Sequence, residues 1–366
     1  MTVGTEHEYS LNDADLVPLP ITDRVIESIH GSLVNEFRYG SVNVCKELQK
    51  HVIELVPSTP HTSLASMERA LYDGLTRFRQ ATGGRYAMLG LGMHPFLTLD
   101  QTSWWDHEDL DFYEEFDRLF GLRQHGWLNI QALQVNIHYE NEGNMLGMFD
   151  RLRSLIPFLV AVTASSPMVE GRLTGVMDNR LLYYRKNQER VPLICHGLIP
   201  ERLSSMRQHD EILESIYAEL RAIGGHGLCH EWIDSRGVVI RPHRECLELR
   251  ACDEQECLRS DMAVTAFVLS LLRADLELET DRDSLLDMNE AAIRRGTSSC
   301  RPELLRLYGK AFDAATAEER SYLPIVRERI EEGSVAEVVS GRIKDGEDAA
   351  EVFKGLASCL RDNRPL

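Results

Sequence analysis

Thr2-Val3-Gly4-Thr5-Glu6-His7-Glu8-Tyr9-Ser10-Leu11 opens the chain as a strand, and Glu6 and Glu8 are its two acidic residues. Residues two apart on a strand face the same side, so the two carboxylates project together. Val3, Tyr9 and Leu11 do not read as a clean apolar side opposite them, so the strand is not taken as fully amphipathic. Adjacent carboxylates repel unless a cation lies between them. An all-oxygen cluster of this kind suits Mg²⁺ or Mn²⁺. A solvated edge strand would account for the same residues without a metal.

Outward from that strand, the pattern predicts a helix over 23–38 and a strand over 51–56 that ends at Pro57-Ser58-Thr59-Pro60. A helix follows from Ser63 to Ala81, with a serine N-cap and a stop at Gly83-Gly84. Strands are expected at 85–93 and 130–139, and helices at 109–121 and 144–164. A Pro- and Gly-containing loop then runs from Ser165 to Gly175. Further on come a helix at 208–223, strands at 237–241 and 246–251, and an apolar helix at 259–276. From about 283 to 366 the pattern is helical and charged. This is an α+β layout with one sheet and a helical C-terminal part. No linker divides it, so residues 1–366 read as a single domain.

Fifty-eight acidic against 40 basic residues give a net charge of −18, which argues against nucleic acid or an anionic membrane as a partner. An anionic substrate must then be met by metal ions or clustered arginines. No secretory signal is visible, and the apolar run Ile156–Val169 is broken by Thr163, Ser165, Ser166 and Pro167. The eight scattered cysteines read as reduced thiols, and the expected location is the cytoplasm.

Other candidates lie further along the chain. Glu47 precedes the second strand and Glu54 lies near its end, where a surface helix for the first and a strand end for the second would explain them as well. In Cys246-Leu247-Glu248-Leu249-Arg250, alternation separates the leucines from Glu248 and Arg250. If that second face lined a pocket, a metal-binding carboxylate would stand beside a phosphate-binding guanidinium. Otherwise it is an exposed ion pair. Gln134 and Asn136 share a strand face, and Arg172 and Arg180 lie on or beside a Gly-bounded loop where arginines can fork onto a carboxylate or phosphate. No GxxxxGK[ST] loop exists, and Gly90-Leu91-Gly92-Met93-His94-Pro95 begins like GxGxxG but ends in proline. His226, Cys229 and His230, with Cys246, Cys252 and Cys257, fit no closed zinc pattern.

In order, these segments resemble the glutamate–cysteine ligase family, in particular its second type and the related carboxylate–amine ligases. Gly4-Thr5-Glu6-His7-Glu8 is similar to the family's G-x-E-x-E strand, and Glu47-Leu48 with Glu54 and Thr59-Pro60 to its E-L-x(5)-E segment and Thr-Pro. Gly92-Met93-His94-Pro95-Phe96 resembles G-x-H-P-F. Ala164-Ser165-Ser166-Pro167 with Gly171-Arg172-Leu173-Thr174-Gly175 resembles A-x-S-P and G-R-x-T-G, and Arg180 matches the arginine that comes next in that pattern. Trp232-Ile233-Asp234-Ser235-Arg236 and Leu247-Glu248-Leu249-Arg250 resemble W-x-D-x-R and T-L-E-I-R. Gln134-Val135-Asn136 departs from the H-V-H usual in the second type and is similar to plant and proteobacterial members, and Cys246 replaces a threonine.

The resemblance implies a glutamine-synthetase-like core, a curved antiparallel sheet flanked by helices, with metals on its concave face. It implies Glu6, Glu8, Glu47, Glu54 and Glu248 as ligands for about two or three Mg²⁺ or Mn²⁺ ions. Glu248 and Arg250 would be catalytic, with Arg250 on the transferring phosphoryl. Gln134, Asn136, Arg172, Arg180, His94 and Arg236 would bind ATP or substrate. The implied reaction uses ATP to join a carboxylate, the γ-carboxyl of glutamate, to an amine such as cysteine through an acyl phosphate, as in glutathione biosynthesis. A different amine or donor, or a silent homologue serving as a binding module, is the alternative. Partners are these small molecules, and a homo-oligomer is left open.

Overall fold

In the computed structural model, which describes all 366 residues, the strands are β1 (Val3–Asn12), β2 (Glu36–Tyr39), β3 (Val42–Lys46), β4 (Val52–Pro57), β5 (Ala87–Leu89), β6 (Ala132–His138), β7 (Met168–Val169), β8 (Arg172–Leu173), β9 (Val238–Arg241) and β10 (Cys246–Asp253). The main sheet runs β2-β3-β4-β1-β6-β10-β9, with β5 also on β1, and β7 and β8 form a separate ribbon. Every pairing is antiparallel.

The helices are α1 (Thr22–His30), α2 (Leu64–Ala81), α3 (Leu110–Phe120), α4 (His125–Leu128), α5 (Glu142–Thr163), α6 (Asn179–Tyr184) and α7 (Met206–Ala222). The C-terminal part is helical, with α8 (Leu258–Arg273), α9 (Arg282–Arg295), α10 (Arg301–Ala314), α11 (Ala317–Arg320), α12 (Leu323–Glu332), α13 (Val335–Lys344) and α14 (Ala349–Asp362). The α+β layout read from the sequence is therefore the observed one. No helix is long and apolar enough to cross a membrane.

Directly opposed residues in an antiparallel pair share a face, so the register assigns each side chain to a layer. Glu6 opposes Gln134, Glu8 opposes Glu54, and Glu248 opposes Asn136. All of them point to one face. The other face carries Val3, Thr5, His7, Tyr9 and Leu11 from β1, with Ile53, Leu55, Leu133, Val135, Ile137, Leu247 and Leu249, all buried. β1 is thus amphipathic, contrary to the sequence reading. The oddity is a buried histidine among apolar neighbours, its Nδ1 3.1 Å from Glu254 Oε1. Against this face pack α2, α5 and α8, and the apolar run of α5 is buried without interruption from Leu152 to Thr163.

Two expectations need correction. The helix expected over 23–38 stops at His30, because Gly31 turns left-handed (φ +92°) and returns its N–H to Glu27 O. Residues 36–39 instead form β2, and β3 follows as an unforeseen strand. The 36–39 segment buries Phe37 and exposes Glu36 and Arg38, an alternation too short to outweigh the helical pattern before it. Of the strand expected at 85–93, only Ala87–Leu89 pairs.

Candidate active site

The polar face of the sheet floors a cleft of about 580 Å³. Six glutamates line it: Glu6 and Glu8 from β1, Glu54 from β4, Glu248 from β10, Glu47 from the loop after β3, and Glu231 from the segment before β9. The first five are the expected ones. Arg250, Arg180 and Gln134 line it too. Phe112, Phe116, Trp232 and Tyr113 give part of its lining an aromatic wall. Phe112 and Trp232 are in edge contact at 4.4 Å between ring centroids.

The expected glutamates fall into two groups. Carboxylate oxygens of Glu8, Glu47 and Glu54 lie within 4.8 Å of one another. Glu8 accepts from Ala132 N (2.9 Å) and from Gln134 Nε2 (3.1 Å), and Glu47 accepts from Leu48 N at 3.3 Å. None of the three is paired to a lysine or arginine. Burial first, and then the neighbouring carboxylates, push Glu8 and Glu54 well above the usual range. Burial also raises Glu47, against the pull of Lys46. Three clustered acids, Glu8 and Glu54 buried and Glu47 half-buried, with no basic partner fit a hard dication, which would remove their repulsion.

The second group is already paired. Glu6 Oε1 accepts from Asn136 Nδ2 at 3.0 Å and from Arg244 Nη1 at 3.1 Å. Glu248 receives both prongs of Arg241, at 2.8 and 3.2 Å, and Arg250 Nε at 2.9 Å. Burial works against its charge, but Arg250 and Arg241 outweigh burial and hold its pKa below the ordinary value.

Arg250 owes its aim to an irregularity. The pairing of β10 with β6 slips between Leu249 and Cys252, a bulge that frees backbone carbonyls from the ladder. Arg180 reaches those carbonyls, with Nη2 2.9 Å from Ala251 O and Nη1 3.3 Å from Arg250 O, while Nε sits 2.6 Å from Asp253 Oδ1. Arg180 therefore lines the cleft with three of its bonds committed to β10.

Other expected site residues lie elsewhere. Asn136 stands behind Glu6, in an adjoining pocket of about 430 Å³. His94 is buried outside the cleft, its Nδ1 accepting from Phe96 N (3.2 Å) and Leu97 N (3.1 Å). Desolvation lowers its pKa to about 3, so it is a neutral organiser of the 94–97 turn. Arg236 forks onto Asp234 at 2.8 and 2.7 Å and reaches Glu201 at 2.8 Å, away from the cleft lining. Arg172 is exposed on the β7–β8 ribbon.

Arg241 and Arg244 line the cleft and were not among the expected residues. Alternation through Val239 and Arg241, projected across a β9–β10 hairpin onto Glu248, was the signal available for Arg241. The 226–257 histidines and cysteines form no metal-ligating group, and all eight cysteines are free.

Comparison with known proteins places the chain in a family. The sequence model described as glutamate–cysteine ligase family 2 matches residues 2–354. An uncharacterised protein of Archaeoglobus fulgidus is 44% identical over 363 residues, covering 99% of both chains. A Nocardia farcinica protein provisionally named glutamate–cysteine ligase 2-2 is 26% identical over 281 residues, covering 74% of this chain and 66% of its own. Among solved structures, a glutamate–cysteine ligase of Francisella tularensis in complex with AMP superposes with a TM-score of 0.62 at 11% identity, over 99% of this chain and 88% of that one. A bifunctional glutathione synthetase from Pasteurella multocida gives 0.65 at 15% identity, over 99% of this chain and 52% of that one. At those identities the likeness shows a shared fold, and the family match shows more: this chain belongs to glutamate–cysteine ligase family 2.

Proposed function

We propose that the chain is an ATP-dependent ligase that activates a carboxylate, the γ-carboxyl of glutamate, as an acyl phosphate and joins it to an amine, cysteine. The observation that carries this reading is the meeting of Glu8, Glu47 and Glu54 within 4.8 Å, in one cleft with Glu6, Glu248 and Arg250. A carboxylate is a poor acyl donor because oxide would have to leave. Its oxygen attacks the γ-phosphorus of ATP, ADP departs, and the amine then displaces phosphate from the acyl carbon. Such a site works by positioning and by offsetting charge.

Glu6, Glu8, Glu47, Glu54 and Glu248 would hold Mg²⁺, which supplies charge neutralisation at the phosphate oxygens. Gln134 and Asn136 fix Glu8 and Glu6 by hydrogen bonds. Arg250, held at Glu248 and by Asp234 O at 2.9 Å, sits where a guanidinium can meet the transferring phosphoryl. The aromatic and apolar wall keeps water from the acylated carbon. Eight free cysteines and a net charge of −18 support a cytoplasmic setting and small-molecule partners.

A second reading keeps the chemistry and changes the amine. Phe112, Phe116 and Trp232 offer more apolar surface than cysteine needs, and an amine with an aromatic or branched body would use it.

The test is ADP release from Mg·ATP, scanned over glutamate and other carboxylates paired with cysteine and other amines. Glu248→Gln should lower turnover by about 10²–10³-fold, by analogy with the loss of one charge-stabilising group, with the fold unchanged by circular dichroism. Wild-type protein that binds no Mg·ATP and releases no ADP with any pair would instead be a binding module, and the ligase reading would fall.

A further inference from the structure

Arg241 and Arg244 occupy the oxygens that the proposed reaction assigns to metal. Arg241 grips both oxygens of Glu248, at 2.8 and 3.2 Å, and Arg250 Nε adds an ion pair at 2.9 Å. Arg244 holds Glu6 Oε1 at 3.1 Å, beside the Asn136 amide. A carboxylate offers about four lone-pair positions, so little of Glu248 remains for another cation. The contrast with Glu8, Glu47 and Glu54 is complete, since no guanidinium is paired to any of those three. Within one cleft, then, three acids have no basic partner and two are paired to arginine.

We infer that Arg241 and Arg244 are exchangeable counter-ions: they hold Glu248 and Glu6, and pass to the phosphate oxygens of a nucleotide when a divalent cation takes those carboxylates. This rests on the reading of the cleft as an ATP-dependent ligase site. The planar guanidinium fork matches carboxylate and phosphate alike, so it can pass from one to the other without loss of geometry. A buried charge is never left alone during the exchange, and leaving one alone is the strongly destabilising outcome. Both arginines sit on the β9–β10 hairpin, Arg241 at the end of β9 and Arg244 in the 242–244 turn. The Arg244 side chain is 65% exposed and can swing without disturbing the core.

Metal and nucleotide should then bind with positive coupling, because each favours the state the other needs, and the coupling must be reciprocal. Mn²⁺ binding is followed by electron paramagnetic resonance without nucleotide. Binding of a non-hydrolysable ATP analogue is followed by calorimetry at saturating Mn²⁺. Arg241→Gln removes the competitor for Glu248 and a phosphate ligand together. It should tighten Mn²⁺ about fivefold or more and weaken the analogue about fivefold or more, the lower end of common coupling factors. Arg244→Gln should shift both affinities in the same directions by less, and its exposed position leaves the fold intact for the comparison.

The opposite signs separate this role from a scaffolding one, in which both affinities fall. Variants that bind Mn²⁺ as the wild type does, or more weakly, overturn the exchange. Wild-type protein that binds neither Mn²⁺ nor the analogue overturns the ligase reading beneath it.

Discussion

Glu54 is the carboxylate in the cleft with least support, since it accepts from no arginine or lysine and faces Glu8, Glu47 and Glu6. Its pKa and that of Glu8 are raised by burial and then by neighbouring carboxylates. The folded chain therefore binds more protons than the unfolded one above the ordinary value of 4.5. This part of the stability is present below that pH and is lost as pH rises toward the raised values. Glu248, whose pKa is lowered, acts in the opposite sense and loses its contribution on acidification. A dication between the three acids would cancel the loss at high pH. The thermal midpoint gained on adding Mg²⁺ should accordingly be larger at pH 8 than at pH 5. Glu54→Gln should raise the midpoint in EDTA, by about 2 °C for each kcal/mol of repulsion relieved, and shrink the Mg²⁺ increment. An equal increment at both pH values, or a lower midpoint for the variant in EDTA, would contradict this account.

At the scale of elements, the β10 bulge and its supports place Arg250. Asp253, at the end of β10, is fully buried and accepts from Arg180 Nε (2.6 Å), Ser165 N (2.9 Å) and Ser166 Oγ (2.8 Å). Gly92 passes directly over it, and a β-carbon there would overlap the Asp253 carboxylate. The glycine of Gly92-Met93-His94-Pro95-Phe96 thus serves close approach rather than contact with a ligand. Gly92→Ala should destabilise the fold by about 1–3 kcal/mol, as overpacking does. It should also loosen the clamp of Arg180 on the bulge, so that ADP release falls further than the lost stability explains. Thermal unfolding and steady-state turnover measured together check both effects, and normal values for both would remove Gly92 from this role. β2 and β3 show the converse difficulty. Their identity depends on pairing with β4, which a local pattern following a helix does not reveal.

Across the whole molecule, α14 packs against β5 and α13. Val352, Phe353, Leu356 and Leu360 are buried, and the first three join a cluster with Leu16, Leu89, Leu91 and Met168. Each such side chain stabilises by at most about 1.5–3 kcal/mol when fully buried. Together they rival the roughly 5–15 kcal/mol that holds a typical domain folded. Asn363 further ties the end of α14 to Arg259 N at 2.8 Å and to Glu68 at 2.8 Å. Deleting residues 349–366 should therefore abolish cooperative unfolding in calorimetry rather than leave a folded catalytic core. The intact chain should unfold in one transition. Two separated transitions would mean that the helical C-terminal part is an independent unit.

The strand of Glu6 and Glu8, the separation of Glu248 and Arg250 from the leucines between them, the order of the family segments and the helical character of the last quarter were legible in the chain's local pattern. Each follows from backbone geometry over a few residues, where a period of two or of 3.6 is enough. Which of those acids meet, that His94 and Arg236 turn inward to other partners, and that Arg241 closes on Glu248 came from the folded chain alone. Those outcomes depend on strand register, on one bulge in β10 and on the folding of the β9–β10 hairpin. They are contacts between distant parts of the chain, and no local periodicity encodes them.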